Sequence, residues 1–241
     1  MIHFVTYGDS KYCESKKRIE KEAISTNWFD SVNIFGPKDI DAEFAAKFQK
    51  VLRMPRGGGY WIWRIDIIKQ MMDKVDEGDI IVYADAGCKL NKNGEKRFNE
   101  YLEKLENSKN NYGILSFQMY QHKEKTWTTR EIFDYFNVSE NEIKESGQYL
   151  GGVFFLKKND HSRLFLNKLN ECINTNMLLI TDVYNRNQDS YFQDNRHDQS
   201  ISSVLRKIIG SEVIPRDETY MVPFGGKESM NYPIWATRSR N

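Results

Sequence analysis

The sequence predicts an α/β fold in which a mostly parallel, Rossmann-like central sheet is flanked by helices on both faces. Short apolar runs bounded by turn residues alternate along the chain with longer segments of helical periodicity. After its first residue, the segment Asp79–Ala84 is apolar and rich in β-branched side chains, which is typical of a strand buried on both faces of a parallel sheet. Parallel strands need a crossover connection, and that connection is normally a helix.

The first elements follow the order strand, helix, strand. Ile2–Thr6 is an apolar run that ends at Tyr7-Gly8-Asp9, and the charged segment 12–24 after it has the composition of a solvated helix. Ser31–Phe35 predicts a second strand, which Gly36-Pro37 terminates.

The alternation continues to about Ile209, and the segment after it is irregular. Ile65, Ile68, Met72 and Val75 recur at spacings of three, four and three, which indicates the apolar face of a helix before the strand Asp79–Ala84. The later predictions are a helix at 98–105, a strand at 113–117, a strand at 151–156, a helix at 166–173, a long polar loop at 181–195 and a helix at 201–209.

The composition narrows the classes of function. The 35 Lys and Arg residues nearly balance 34 Asp and Glu, and a net charge of +1 argues against a nucleic-acid partner or an anionic membrane. The three cysteines show neither ligand spacing nor a disulfide framework. The first ten residues lack the pattern of a signal peptide, and no apolar run approaches the ~18–20 residues of a membrane span. We therefore expect a cytoplasmic protein with no transmembrane segment.

Asp85 is the strongest candidate for a site residue. An apolar strand delivers it to a turn, and Ala86-Gly87-Cys88 leaves room for a ligand near the backbone. Ligands of open α/β sheets bind at the carboxyl ends of the strands. A carboxylate there suits a ribose hydroxyl, or a Mg²⁺ or Mn²⁺ ion shared with phosphate oxygens. The alternative is that Asp85 only caps the turn or the next helix.

A glycine cluster marks a second candidate group. Gly57-Gly58-Gly59 leads through Tyr60 and Trp61 to Trp63 and Arg64. Backbone amides at such a helix start suit a phosphate, and Arg64 would neutralise it, although the two tryptophans are equally suited to packing. The sequence contains no GxxxxGK[ST] or GxGxxG motif, which argues against P-loop NTPases and dinucleotide dehydrogenases.

Two further groups carry suitable chemistry. Asp198 stands just before the last helical stripe and is a candidate general base for a sugar hydroxyl, or a helix cap. His197 is a candidate metal ligand. Gly151 and Gly152 indicate either a plain strand entrance or a place where the backbone approaches the transferred sugar.

Five segments in order resemble those of one protein family: VTYGDSKY, GGGYWIWRIDII, GDIIVYADAGC, QYLGGVFFLKK and RHDQSISSVL. The sequence is similar, from Ile2 to about Ile209, to small glycosyltransferases of GT-A fold from bacterial surface-polysaccharide loci and large DNA viruses. The resemblance implies one domain over residues 1–241. Its nucleotide-binding half would span about 1–118 and its acceptor half about 119–241.

The resemblance also implies roles for individual residues. Asp85 would take the place of the DxD motif that holds the metal and the diphosphate, although Ala84-Asp85-Ala86 keeps only one of the two carboxylates. His197 would be the second candidate ligand, and Asp198 would lie near the acceptor hydroxyl. The other residues predicted to bind the donor are Thr6, Tyr7, Gly8, Gly59, Trp61, Arg64, Ala86, Gly151 and Gly152.

The expected reaction moves a hexosyl or pentosyl group from a nucleoside-diphosphate sugar, with a UDP-sugar as the expected donor. The expected acceptor is a hydroxyl of a glycan or glycoprotein, the expected cofactor is Mn²⁺ or Mg²⁺, and Asp198 as base would invert the anomeric centre. One alternative is a sugar nucleotidyltransferase, although the glycine- and arginine-rich loop of that class is missing after the first strand. The other is a non-catalytic carbohydrate-binding or capsid-associated protein, which would need no nucleotide.

Overall fold

The computed structural model describes residues 1–139 and 141–240, and it has an α/β fold. The strands are β1 Ile2–Tyr7, β2 Ser31–Phe35, β3 Ile80–Ala84, β4 Lys89–Leu90, β5 Ile114–Lys123, β6 Gly147–Tyr149, β7 Val153–Lys157, β8 Glu212–Ile214 and β9 Ile234–Trp235. The helices are α1 Cys13–Thr26, α2 Ala42–Lys47, α3 Gln49–Leu52, α4 Gly57–Tyr60, α5 Trp63–Lys74, α6 Glu95–Glu106, α7 Glu124–Trp127, α8 Arg130–Tyr135, α9 Asn141–Glu145, α10 Asp160–Thr175 and α11 Asp198–Ile209.

A seven-stranded sheet forms the centre of the molecule. Its strand order is β2-β1-β3-β7-β5-β6, and β8 also pairs with β5. Strand β1 is parallel to β2 and β3, and β8 is parallel to β5, whereas β7 is antiparallel to both β3 and β5, and β6 is antiparallel to β5. Strands β1, β2, β3, β5 and β8 therefore run in one direction, and β6 and β7 in the other. The prediction of a mostly parallel sheet is confirmed.

The two faces of the sheet bury two separate cores, because alternate side chains of a strand point to opposite faces. Val5 and Tyr83 enter the core shared with α5, α10 and α11, whereas Phe4 and Val82 enter the core shared with α1 and α6. Helices thus cover both faces, as predicted. Each core contains residues from before and after position 118.

Several boundaries differ from the prediction because tertiary pairing extends or shortens an element. The strand predicted at 113–117 continues to Lys123 because β6, which is distant in sequence, pairs with Gln118, Met119 and Lys123. The strand predicted from 151 starts at Val153, which leaves Gly151 and Gly152 in the preceding turn. Within the described residues, no helix combines the length and the apolar character needed to cross a bilayer.

Candidate active site

The site forms where β1 and β3 end, and Asp85 is the first residue after β3. Its backbone is fixed in a tight turn: Asp85 N donates to Gly152 O at 2.9 Å, and Cys88 N donates to Asp85 O at 2.8 Å. The side chain of Asp85 keeps 39% of its surface exposed. The sheet therefore presents this carboxylate to solvent at the edge where α/β folds bind ligands.

Arg64 joins two of the predicted site residues. Its Nη2 donates to Asp85 Oδ1 at 2.9 Å, and its Nη1 donates to the Asp198 carboxylate. Tyr83, which the sequence analysis did not select, donates its hydroxyl to Asp85 Oδ1 at 2.6 Å. Tyr83 lies in β3 and Asp85 follows two residues later, directly after the strand, so the period of two places their side chains on one side of the sheet. This spacing was the signal that would have found Tyr83.

Burial and the neighbouring charges shift the pKa values of Asp198 and Arg64. Burial raises the pKa of Asp198 to about 6, although the positive charge of Arg64 opposes the shift. Behind the ion pair, Phe154, Phe165 and Ile201 line a narrow apolar crevice of about 20 Å³, which explains the low polarity around the carboxylate. Burial also disfavours the charged form of Arg64, but the neighbouring carboxylates outweigh it and raise the pKa of the guanidinium.

Two buried polar atoms at the site lack a hydrogen-bond partner among the described residues: Thr6 Oγ1 and Arg64 Nε. Leaving a buried donor or acceptor unpaired costs about 1–3 kcal/mol. Such atoms are uncommon and often mark places that a ligand or water completes. Thr6 lies near the carboxyl end of β1, where the resemblance implies a nucleotide.

The turn after β1 is closely packed. The rings of Tyr7 and Trp63 stack with centroids 3.8 Å apart. Burial, with the negative charges of Asp9 and Asp39, raises the pKa of Tyr7 to about 12, so its hydroxyl stays protonated. A Cβ at Gly8 would lie 2.7 Å from Tyr12 Cβ, which explains why glycine is needed there.

The glycine cluster forms a left-handed turn. Five consecutive residues, Gly57, Gly58, Gly59, Tyr60 and Trp61, have φ values of 60°, 59°, 101°, 54° and 60°. Glycine adopts such angles without penalty, but tyrosine and tryptophan do so rarely. The amides of residues 58–61 donate to carbonyls of residues 55–57. These four amides are already paired inside the turn, and phosphate binding at the glycine cluster stays a prediction.

Gly59 and Trp61 support the turn. A Cβ at Gly59 would lie 2.7 Å from Leu52 Cα, so the absence of a side chain at this position allows α4 to approach α3. The ring of Trp61 lies 5.6 Å from the ring of His197. A donor-binding role for either residue stays a prediction.

His197 belongs to a separate cluster. Its ring is 1% exposed, stacks on Tyr60 at 4.8 Å, and places Nε2 2.8 Å from Asp182 Oδ1. Asp85, by contrast, contacts Arg64 and Tyr83. In the described part of the chain, no group of three or more His, Cys, Asp and Glu side chains is arranged to hold a metal ion. Metal ligation by His197 stays a prediction.

The donor set at Asp85 fits a divalent cation only as a shared site. One carboxylate oxygen already accepts from Arg64 and Tyr83, and a single side chain provides few of the oxygen ligands that Mg²⁺ or Mn²⁺ requires. A bound diphosphate would have to provide the others. Asp85 is therefore the residue that would hold such an ion.

Arg56 anchors the long segment 181–197, which has no helix or strand among its residues. Its Nη1 donates to Asp182 Oδ1 at 3.1 Å and its Nη2 donates to Asp194 Oδ2 at 2.6 Å. One guanidinium thus holds both ends of the segment. His197 binds the same Asp182, so the anchor and the left-handed turn are connected.

The two glycines before β7 lie against the site. A Cβ at Gly152 would lie 2.7 Å from Asp85 Oδ2. Gly151 N donates to Gln199 Oε1 at 3.0 Å, and Gln199 Nε2 donates to Gln148 Oε1 at 2.8 Å. Gly152 thus lies directly against the Asp85 carboxylate, and its approach to the transferred sugar stays a prediction. Gln199 positions the backbone of Gly151, and no pattern in the sequence around Gln199 indicates that role.

The segment 236–240 packs against the turn that carries Asp85. Thr237 Oγ1 and Ser239 N donate to Gly87 O at 2.8 and 3.0 Å. On the other side, Arg18 Nη2 donates to Ala86 O at 3.2 Å. Ala86 is thereby fixed through its carbonyl, and its predicted contact with the donor would be made by the remaining backbone.

Arg238, whose backbone lies against Gly87 in this turn, is near two further basic side chains, Arg196 and His122. Burial and the charge of Arg238 lower the pKa of Arg196, and partial burial and the charge of Arg196 lower the pKa of His122. Asp217 offsets part of this charge at His122. Like charges held together are unfavourable unless an anion joins them, and such groups are typical of binding sites. No sequence pattern indicates this group, because its members lie far apart in the chain.

Comparisons with known proteins bear on the fold. No protein-family model and no curated protein matches the sequence. A glycosyltransferase involved in the glycosylation of the major capsid of PBCV-1 is similar in structure, with a TM-score of 0.50 and 14% identity over 97% of this chain and 92% of that one. The galactosyltransferase LgtC, in complex with donor and acceptor sugar analogues, gives a TM-score of 0.52 and 9% identity over 98% and 86%. At these identities the likeness concerns the fold alone, and the chain has the GT-A-like fold of these two glycosyltransferases.

Proposed function

We propose that the protein transfers a glycosyl group from a nucleoside-diphosphate sugar, with a UDP-sugar as the expected donor, to a hydroxyl of a glycan or glycoprotein. The observation that carries this proposal is the carboxylate of Asp85, half-exposed at the carboxyl end of β3 and fixed by Arg64, Tyr83 and the Gly152 backbone. In an α/β sheet this is the position where ligands bind. The fold shared with two glycosyltransferases agrees with it.

The unpartnered atoms support a polar donor. Thr6 Oγ1 is buried without a partner near the end of β1. Tyr7, the next residue of β1, points to the opposite face of the sheet and stacks on Trp63 there. A nucleotide at the end of β1 would provide a hydrogen-bond partner for the Thr6 hydroxyl.

The leaving diphosphate gains negative charge as the glycosidic bond breaks, and preorganised positive charge lowers the barrier. Arg196 and Arg238 provide that charge, and the backbone of Arg238 lies against Gly87 in the turn after Asp85. A Mg²⁺ or Mn²⁺ ion at Asp85, when bound, would add charge neutralisation of the same kind. The cluster of cationic side chains acts on the diphosphate with or without it.

Proton removal from the acceptor hydroxyl is the remaining requirement. Asp198 has a pKa of about 6, a value that suits a general base near neutral pH. As a base it takes the proton while the hydroxyl oxygen attacks the anomeric carbon and the diphosphate leaves from the opposite side, so the product is inverted. Its bond to Arg64 holds the carboxylate in place for this step.

Calorimetric titration with UDP, with and without Mn²⁺, tests the donor, and a screen of UDP-sugars for slow hydrolysis follows. We expect UDP to bind, and Asp85→Asn to lower hydrolysis at least ~100-fold, the loss expected for a group that organises transition-state charge. The control is Asp134→Asn, which changes an exposed carboxylate on α8 and should leave hydrolysis unchanged.

Three outcomes would contradict the proposal. The first is that no nucleotide binds with or without metal. The second is that a nucleotide-sugar forms from a sugar phosphate and a nucleoside triphosphate, as in a nucleotidyltransferase. The third is that glycans bind while UDP does not, as in a carbohydrate-binding protein.

A further inference from the structure

We propose that a cleft beside segment 181–195 binds a neutral sugar residue of the acceptor glycan, an inference that rests on the proposed glycosyltransferase function. The cleft, called here the amide cleft, has a volume of about 260 Å³. Among its lining residues are Thr129, Glu131, Asn176, Thr181, Tyr184 and Asn185. Its size is slightly below the roughly 300–1,000 Å³ of drug-sized pockets, and so it suits a ligand of one ring.

The floor of the amide cleft is rigid, and its rim is open. Asn195 is fully buried, and its Nδ2 donates to Leu179 O at 3.2 Å and to Thr181 O at 3.0 Å. At the rim, Leu178 and Val183 are 49% and 62% exposed. A ligand can therefore enter from solvent and meet a preformed surface, which lowers the ordering cost of binding.

The lining has the chemistry that recognises sugar hydroxyls. Thr129, Asn176 and Asn185 carry hydroxyl or amide groups, which both donate and accept hydrogen bonds as sugar hydroxyls do. Tyr184 adds an aromatic ring, which the edge of Phe192 holds at a centroid distance of 5.2 Å. A flat, apolar ring among polar groups suits the apolar face of a pyranose.

The charge of the amide cleft selects against anionic sugars. Partial burial opposes ionisation of Glu131, but hydrogen bonds from Asn185 N at 2.7 Å and Gln188 Nε2 at 2.8 Å outweigh it and lower its pKa. The lining residues, all of them in the described ranges, include no Lys, Arg or His. Glu131 is the charged residue of the lining, and Arg130, outside it, offsets only part of that charge, so a carboxylate or phosphate is disfavoured and the geometry favours a neutral sugar.

The amide cleft is connected to the proposed catalytic centre by the chain itself. Asn195 on its floor accepts from His197 N at 3.2 Å, and Asp198 is the next residue. Thr181 precedes Asp182, which lies 2.8 Å from the same histidine. A sugar bound in the cleft is thus held by the segment that carries Asp198, as an acceptor subsite requires.

Amide NMR spectra of ¹⁵N-labelled protein test this inference. The probes are methyl β-galactoside, methyl α-glucoside, methyl β-xyloside and, as the anionic comparison, the methyl glycoside of N-acetylneuraminic acid. We expect at least one neutral probe to shift the side-chain amides of Asn176 and Asn185 saturably at about 1–50 mM, the weak affinity of a single ring. The anionic probe should leave them unshifted.

A pair of tyrosine variants adds a matched control. Tyr184→Ala removes the stacking ring and should weaken binding about fivefold or more. Tyr191→Ala removes a tyrosine that is 62% exposed, lies under Lys125 and is outside the cleft lining, and it should leave binding unchanged. If Tyr184→Ala disturbs the fold, the amide shifts that the probes cause in the parent protein decide whether the cleft binds a neutral sugar.

The inference is overturned if no neutral probe shifts the cleft amides, if shifts occur only elsewhere, or if the anionic probe binds as well as the neutral ones. A parallel titration with UDP separates the two proposals. Binding of UDP without any glycoside in the cleft overturns the subsite and leaves the glycosyltransferase standing. Glycoside binding without UDP binding overturns the donor, and with it the role of the cleft as an acceptor subsite.

Discussion

Arg64 and Asp198 form a buried ion pair across 134 residues of sequence. Through its other terminal nitrogen, Arg64 also holds Asp85, so one guanidinium connects the first turn of α11 to the turn after β3. The exposed carboxylate and the buried one are therefore coupled. A change at any of the three side chains should be felt at the other two.

Replacing the shared guanidinium tests this coupling. We expect Arg64→Lys to lower kcat about 10–100-fold and stability by about 1–3 kcal/mol, because a single ammonium cannot hold two carboxylates with the geometry of a guanidinium. Turnover and urea unfolding measure the two effects. Arg130→Lys, the same substitution at an exposed residue of α8, should change neither. Equal behaviour of the two variants would refute the coupling.

The raised pKa of Asp198 makes stability depend on pH. The folded protein releases this proton at about pH 6, whereas the ordinary value is 3.8, so the native state binds the proton more tightly. The contribution of Asp198 to stability is therefore greatest below about pH 4, falls as the pH rises to about 6, and is constant above that.

Urea unfolding of the parent and of Asp198→Asn between about pH 4 and pH 8 measures this contribution. Other titrating groups cancel in the difference of the two unfolding free energies. We expect the parent to lose stability relative to Asp198→Asn as the pH rises from about 4 to about 6. A difference that is flat with pH would show that Asp198 ionises normally. If Asp198 is the base, kcat of the parent falls below about pH 6 as well.

The glycine beside Asp85 should be required for activity more than for folding. A Cβ at position 152 would lie 2.7 Å from Asp85 Oδ2, so Gly152→Ala must displace the carboxylate. We expect turnover to fall about 10–100-fold, since a misplacement of about 1 Å has that cost. In Gly36→Ala the added Cβ meets the flexible end of Lys16 at 3.2 Å, and activity should be retained. Full activity of Gly152→Ala would show that Asp85 needs no fixed position.

The Tyr83 hydroxyl should matter for catalysis as well as stability. Tyr83→Phe removes the donor 2.6 Å from Asp85 Oδ1, and we expect a loss of about 1 kcal/mol in stability with a fivefold or larger loss in kcat. Tyr101 donates its hydroxyl to Glu218 in the other core, so Tyr101→Phe should lose similar stability with unchanged kcat. Thermal melting and turnover distinguish the two variants, and parallel kinetic behaviour would count against a role for Tyr83.

Local patterns predicted those elements whose apolar residues recur at a regular spacing in the sequence. Asp79–Ala84 and the stripe at 201–209 became β3 and α11, because each presents apolar side chains at the period of its own structure. Strands β6 and β8 were missed, since three residues carry little periodicity and their order comes from pairing with β5. Asp198 was expected as a possible helix cap, but the cap is His197 and Asp198 is the first helical residue.

The sequence indicated the two carboxylates of the candidate site but not the hydrogen bonds that join them. Asp85 and Asp198 stood out because each follows or precedes a strong element, whereas their link through Arg64 depends on how α5 packs between β3 and α11. The group of Arg196, Arg238 and His122 has no sequence pattern, because segments far apart in the chain converge there. The glycine cluster was recognised, but its left-handed path, which pairs its own amides, could not be seen from composition.

The forked contact of Arg56 with Asp182 and Asp194 has a consequence for engineering. Both ends of the intervening stretch are bonded to Arg56, so residues 183–193 can be exchanged for a stretch of different length or composition while the ends keep their attachment to that side chain. New acceptor preferences could then be grafted onto an unaltered chemical centre, in the way that antibody loops change on a constant framework.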